Sequence, residues 1–192
     1  MKHLTLEDLE SGLAHVVQSP KDNGELKLIV RRPADGEREV LQEGQLDLEV
    51  GLVGDNWKTR GSSKTQDGSA HPDKQVTITN ARMIALLARE EGRWPLAGDQ
   101  LFIDLDLGAR NLPAGTQLTI GSAVVEVTPP PHNGCKKFAA RFGEEAVKFM
   151  SLPENKEMHL RGINAKVVEP GVIRIGDRVS KGQRENSSPV GI

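Results

Sequence analysis

The chain of 192 residues has a single cysteine, Cys135, no tyrosine, two tryptophans and four phenylalanines, so aromatics make up only 3% of it. One thiol excludes an intrachain disulfide framework and any structural zinc site built from several cysteines. So few rings leave little for nucleobases to stack on, and 25 Lys+Arg against 27 Asp+Glu leave a formal charge of -2 with no basic excess. Nucleic acid is therefore not an expected partner. No run approaches the ~18 consecutive apolar residues of a spanning helix, and the start, MKHLTLEDLE, is polar and acidic where a secretory signal is basic and then apolar. The expectation is a cytoplasmic protein without a membrane partner. The chain also lacks a Gly-x-Gly-x-x-Gly turn, a Walker-type loop, a His-Glu-x-x-His pair and a Gly-x-Ser-x-Gly elbow. The common nucleotide, zinc-protease and serine-hydrolase readings lose their support with them.

What is present suffices for one folded domain: a hydrophobic fraction of 36%, with 20 glycines punctuating it. From Thr5 to Gln18, Leu6, Leu9, Leu13, Val16 and Val17 recur at spacings of three and four behind a Thr5 cap, which predicts an amphipathic helix. Ser19 to Gly24 is a turn, and Glu25 to Arg32 alternates Leu26, Leu28 and Val30 with polar neighbours as a strand does. Short extended runs follow at 38–41, 45–50, 75–79, 100–105, 117–120, 123–128, 163–168 and 172–175. Two helical interruptions are read among them, Ala81 to Glu91 behind an Asn80 cap and Lys136 to Met150. The fold class is mainly β with a few helices (α+β), as a closed or partly closed barrel. The boundaries are an N-terminal helix and turn over 1–24, a β domain over 25–179 and a flexible tail over 180–192. Lys58 to Asp73 is nearly free of apolar residues and reads as an exposed loop.

The stretch that carries chemistry runs from Ala123 through Pro129-Pro130-Pro131-His132-Asn133-Gly134-Cys135 into Lys136-Lys137-Phe138. Three prolines fix the backbone and remove donors, which suits a shaped loop and not a central strand. Cys135 then falls at the start of a helix, with His132, Lys136 and Lys137 nearby. Those surroundings favour the thiolate, the form that attacks, carries sulfur or ligates a metal. The alternative for a lone cysteine is a small buried apolar residue. His132 is a candidate to orient a substrate or stabilise the thiolate. Arg161 is a candidate to grip an anionic phosphate through paired hydrogen bonds, with Lys136, Lys137 and Arg141 as lesser extensions. Gly54-Asp55 and Gly98-Asp99 read as tight turns rather than metal sites, and Trp57 and Trp94 as either pocket walls or caps on the core.

Several strings, in order, resemble the MOSC domain, named after the C-terminal part of molybdenum-cofactor sulfurases. They are Gly51-Leu52-Val53-Gly54-Asp55, Val76-Thr77-Ile78-Thr79, Leu96-Ala97-Gly98-Asp99-Gln100-Leu101, Leu112-Pro113-Ala114-Gly115-Thr116, and Ala123 to Pro129 leading to Cys135. Arg161-Gly162-Ile163-Asn164-Ala165-Lys166 running to Gly171, and then Ile175-Gly176-Asp177, complete the set. The likeness spans about Arg31 to Val179. It implies a barrel tied to sulfur transfer and molybdenum cofactor, with a family association to pyridoxal phosphate proteins. Cys135 would be the ligand to molybdenum in a reductase of N-hydroxylated compounds, or the bearer of a persulfide in a sulfur carrier. Arg161, His132 and Lys136 would hold the cofactor, and a sulfur donor protein or a small molecule would be the partner. The alternative is a non-catalytic barrel that binds a small anion or a protein. Where many relatives carry a basic residue and a histidine after Gly54-Asp55, this chain has Asn56-Trp57-Lys58.

Overall fold

Thr5 caps the first helix through a reciprocal box: its hydroxyl accepts from the Asp8 amide at 3.2 Å, and the Asp8 carboxylate accepts from the Thr5 amide at 2.9 Å. Helix α1 follows over Leu6–Val16. The computed structural model describes residues 3–182. The remaining elements are β1 (Gly24–Arg31), β2 (Glu39–Leu41), β3 (Glu43–Asp47), β4 (Gly51–Leu52), α2 (Trp57–Arg60), β5 (Val76–Asn80), α3 (Ala81–Ala88) and β6 (Leu101–Asp104). Then come β7 (Gln117–Ile120), β8 (Ala123–Val127), α4 (Lys136–Phe142), α5 (Glu144–Met150), α6 (Pro153–Lys156), β9 (Ile163–Glu169), β10 (Gly171–Arg174) and β11 (Arg178–Lys181). Short 3-10 turns span Pro72–Lys74 and Glu91–Ala97.

The sheet order β11-β7-β8-β9-β5-β6-β1 closes on itself through β1–β11 pairing, with β2 appended to β1. This is a closed seven-stranded barrel, antiparallel throughout except for the parallel pair β5–β6. A small sheet, β10-β3-β4, lends Leu46, Leu52 and Ile173 to the same interior core. The second core lies on the outer wall, where α1, α3, α4 and α5 bury Leu9, Met83, Phe138, Phe142 and Phe149. The mixed α+β class with a barrel is thus what the chain adopts. No helix among the described residues is long and apolar enough to cross a membrane.

Strand β1 shows why two cores are possible. Its register against β6 shifts between Leu26 and Leu28, a bulge at Lys27. The extra residue reverses the alternation. Leu26 and Ile29 point into the barrel, while Leu28 and Val30 join the helical layer. The sequence pattern placed Leu26, Leu28 and Val30 on one face; the bulge divides them between two. β6 is likewise apolar on both sides, Leu101 and Ile103 inward and Phe102 outward, as expected of a wall covered by helices.

Other differences have local causes. The helix expected over 136–150 is two, because Gly143 adopts φ 100°, ψ 149° between α4 and α5. The helix behind Asn80 stops at Ala88, where Arg89 turns left-handed at φ 60°. Asn80 is its cap: the side-chain oxygen accepts from the Met83 amide, while Nδ2 donates to Ser19 Oγ and to Leu105 O, each at 2.8 Å. β11 extends to Lys181, two residues into the segment read as a tail. Residues 183–192 of that tail lie outside the described residues. Trp57 is buried, and Trp94 stacks on Phe102 with centroids 6.3 Å apart.

Candidate functional site

β8 delivers the chain into the strap Pro129–Gly134, which contains no regular element. Asn164 on β9 pins that strap by donating Nδ2 to Pro130 O at 2.9 Å, and accepts the Thr128 amide on its own carbonyl. The strap walls a cavity of about 490 Å³ together with Met150, Lys156, His159, Arg161 and Asn164.

At the back of this wall stands Asp99, whose place after Gly98 reads in the sequence as a tight turn. Asp99, fully buried, accepts from Arg161 Nη1 on one carboxylate oxygen and meets His132 Nε2 on the other, each at 2.6 Å. Arg161 is 8% exposed; Nη2 donates to Ala97 O at 3.0 Å, and the guanidinium carbon lies 4.4 Å from the Phe138 ring centroid. Its Nε is buried without a hydrogen-bond partner. Gly162, next to it, has φ 118°, and a Cβ there would stand 2.2 Å from Ile78 O, so only glycine lets β9 enter beside β5 at this point.

Burial works against the Asp99 charge, yet Arg161 and then His132 hold its carboxyl below the usual carboxylate value. Burial, and then the Arg161 charge, push the His132 imidazole below its usual value, against the pull of Asp99. The consistent assignment is an Asp99–Arg161 ion pair beside a neutral imidazole. A carboxylate only accepts, so His132 donates Nε2–H to it and keeps its lone pair on Nδ1.

Of the residues singled out in the sequence, His132 and Arg161 therefore come together through Asp99. Cys135 is exposed, so it is not packed as a small apolar residue, and it directly follows the cavity-lining Gly134 at the N-cap of α4. Lys136 is exposed in the first turn of α4 and does not line the cavity. Lys137 pairs with Asp35 at 3.1 Å, and Arg141 Nη1 donates to Leu96 O at 2.7 Å. Asp55 and Asp99 spend their carboxylates on arginines. Arg32 Nε and Nη2 each lie 2.8 Å from an Asp55 oxygen, a buried two-pronged pair. His71 accepts the Asp73 amide on Nδ1 and so caps the turn at Pro72. Asp99 carried one sequence signal, its position beside a glycine in Leu96-Ala97-Gly98-Asp99, and that signal reads equally as a turn.

The MOSC domain profile matches residues 65–180, most of the barrel, and the chain belongs to this family. Among solved structures, YUAD protein from Bacillus subtilis superposes with a TM-score of 0.61 at 13% identity, over 83% of this chain and 95% of that one. YiiM from Escherichia coli does so with a TM-score of 0.53 at 20% identity, over 83% of this chain and 70% of that one. These likenesses show a shared fold. No curated protein matches the chain.

Proposed function

We propose that this MOSC protein handles sulfur through Cys135, as a carrier of sulfane sulfur. The observation that carries the reading is the position of the chain's one thiol: exposed, at the N-cap of α4, immediately after the strap that walls the cavity. An accessible thiolate is the form that exchanges sulfur with another molecule. In the step, Cys135 Sγ attacks the outer sulfur of a donor persulfide. The donor's S–S bond breaks, the donor leaves as a thiolate, and Cys135 keeps the extra sulfur as its own persulfide. His132 supplies a proton acceptor at Nδ1 on the neighbouring cavity wall, with Asp99 fixing the tautomer.

A second reading, binding of molybdenum cofactor, is favoured by the buried and unpartnered Arg161 Nε beside the 490 Å³ cavity. Cys135, next to the cavity lining and not part of it, offers a soft sulfur for the metal, and Arg161 offers a guanidinium with a donor to spare for an anionic body. Cys135 would ligate it, and Arg161 and His132 would hold it, with Lys136 adding positive charge nearby. When bound, the group would supply two-electron redox chemistry, the kind that reduction of N-hydroxylated compounds needs.

Treatment of the protein with a small-molecule persulfide tests the first reading. The expected product carries one added sulfur on Cys135, removable by a second thiol and absent from Cys135→Ser. A Cys135 that takes no sulfur while the denatured chain does contradicts it.

A further inference from the structure

A second cavity, of about 400 Å³, opens between the end of α1, the loop 106–111 and α6. Val16, Leu107 and Leu160, all buried, give it an apolar floor, with half-buried Met158 and exposed Val17 beside them. Its walls are tied together through the backbone. Ala109 donates its amide to Glu157 O at 2.8 Å, and a Cβ on Gly108 would stand 3.2 Å from that same oxygen. His159, at φ 47°, donates Nδ1–H to Leu107 O at 2.9 Å and joins the same two segments. The result is a formed cavity in the size range of small-ligand sites.

The polar groups around it fall into two sets. The amides need nothing from a ligand: Asn80 spends Nδ2 on Ser19 Oγ and Leu105 O, and its oxygen on the Met83 amide. Asn111 donates Nδ2 to Asp106 O at 2.7 Å and to Lys21 O at 2.9 Å, and accepts from Lys181 Nζ at 3.0 Å. The charged groups are unmatched. Asp106, Glu154 and Glu157 line the cavity with Arg110 as its one cation, and among the described residues none of the four forms an ion pair. Asp106 takes the Gly108 amide on Oδ1 at 2.9 Å and has a second oxygen to offer. Glu154 and Glu157 stand three positions apart, in α6 and at its C-cap, and so share a face, while Lys156 between them lines the 490 Å³ cavity instead. An apolar floor under a negative rim suits a ligand with an apolar body and a positive group.

We propose that this cavity binds a small primary amine in its ammonium form, with its apolar chain on Val16, Leu107 and Leu160 and its charge among Glu154, Glu157 and Asp106. An ammonium group brings three donors and no acceptor, and an ionised carboxylate only accepts, so the two match without leaving a group unmade. A neutral apolar ligand would take water from the carboxylates and return nothing, and an anion would meet their repulsion. Glu157 and Leu160 line both cavities, but Cys135, His132 and Arg161 do not line this one. The site therefore goes beyond the Cys135 reading and does not rest on it.

Titration of the full chain with hexylammonium at low ionic strength, followed by NMR at the His159 ring, tests the proposal. Saturable binding is expected, with the His159 signal shifting because its imidazole is bonded to the Leu107 carbonyl in the cavity wall. Methylammonium, which lacks the chain, and hexanoate, which reverses the charge, should each bind at least fivefold more weakly. Glu154 and Glu157 are exposed, so Glu154→Gln and Glu157→Gln fold, and each should weaken hexylammonium at least threefold. Arg110→Gln removes the opposing cation and should tighten binding. Glu144→Gln, on the exposed side of α5, and Cys135→Ser should leave affinity unchanged. No saturable binding, hexanoate binding as tightly as hexylammonium, or binding that survives both glutamate substitutions overturns the proposal. So does binding that appears only in a chain ending at Gly182, which assigns the cavity to residues 183–192, or binding that weakens as protein concentration rises, which assigns it to a second copy.

Discussion

Asp99 and His132, 33 positions apart in the chain, meet at 2.6 Å through a carboxylate oxygen and Nε2. The contact joins the end of the Glu91–Ala97 turn to the proline strap, and it sets which imidazole nitrogen is left to accept a proton. The strap's shape and its chemistry thus depend on one buried carboxylate.

Acid should therefore weaken the fold through His132. Its folded pKa is below the reference value of 6.5, so the unfolded chain takes up the proton first, and stability is lost as pH falls below that value. Asp99 works in the same direction, but only below its own reference value of 3.8. Denaturant melts between about pH 5 and 7 should show a midpoint falling with acid. His132→Asn should flatten the dependence.

Removing Arg161 leaves the Asp99 charge buried with no guanidinium. Arg161→Leu should cost about 3–5 kcal/mol, the penalty of an uncompensated buried charge. Combining it with Asp99→Asn should cost less than the sum of the two single changes, which a double-mutant cycle in urea measures.

At Gly162 any side chain meets both a left-handed backbone and the Ile78 carbonyl. Gly162→Ala should destabilise by more than about 2 kcal/mol, through strain and overlap together. Its Cβ would also stand 3.1 Å from His132 Cδ2, so the variant's surviving folded fraction should show an altered His132 resonance by NMR.

Cys135→Ser, by contrast, touches an exposed residue. Its stability should stay within about 0.5 kcal/mol of the parent, while sulfur loading is abolished. Thermal unfolding and intact mass on the same sample separate the two effects.

Much of the fold was legible in local pattern. Thr5 and Asn80 announce their helices because a cap is a short-range hydrogen bond, and the β runs declare themselves by their spacing between glycines. What escaped depends on partners far along the chain or on a backbone choice without a distinctive residue. The Lys27 bulge is ordinary in composition, yet it turns Leu28 away from Leu26. Gly143 looks like any glycine in a helical pattern until its φ is known. The short β4 and β11 are strands only because β3, β7 and β1 pair with them. At the candidate site, residue types drew attention to His132 and Arg161, but the carboxylate that joins them lies in a stretch that also reads as a turn. The same holds for Arg32 and Asp55, 23 positions apart, whose pairing has no signature in sequence.

Intact mass of the native protein, purified from a host that makes molybdenum cofactor, tests the central claim most directly, with Cys135→Ala prepared alongside. The account predicts an added mass on the parent, one sulfur or a bound cofactor, that is missing from the variant. A bare mass for both, persisting after exposure to a persulfide donor, would contradict a carrying role for Cys135.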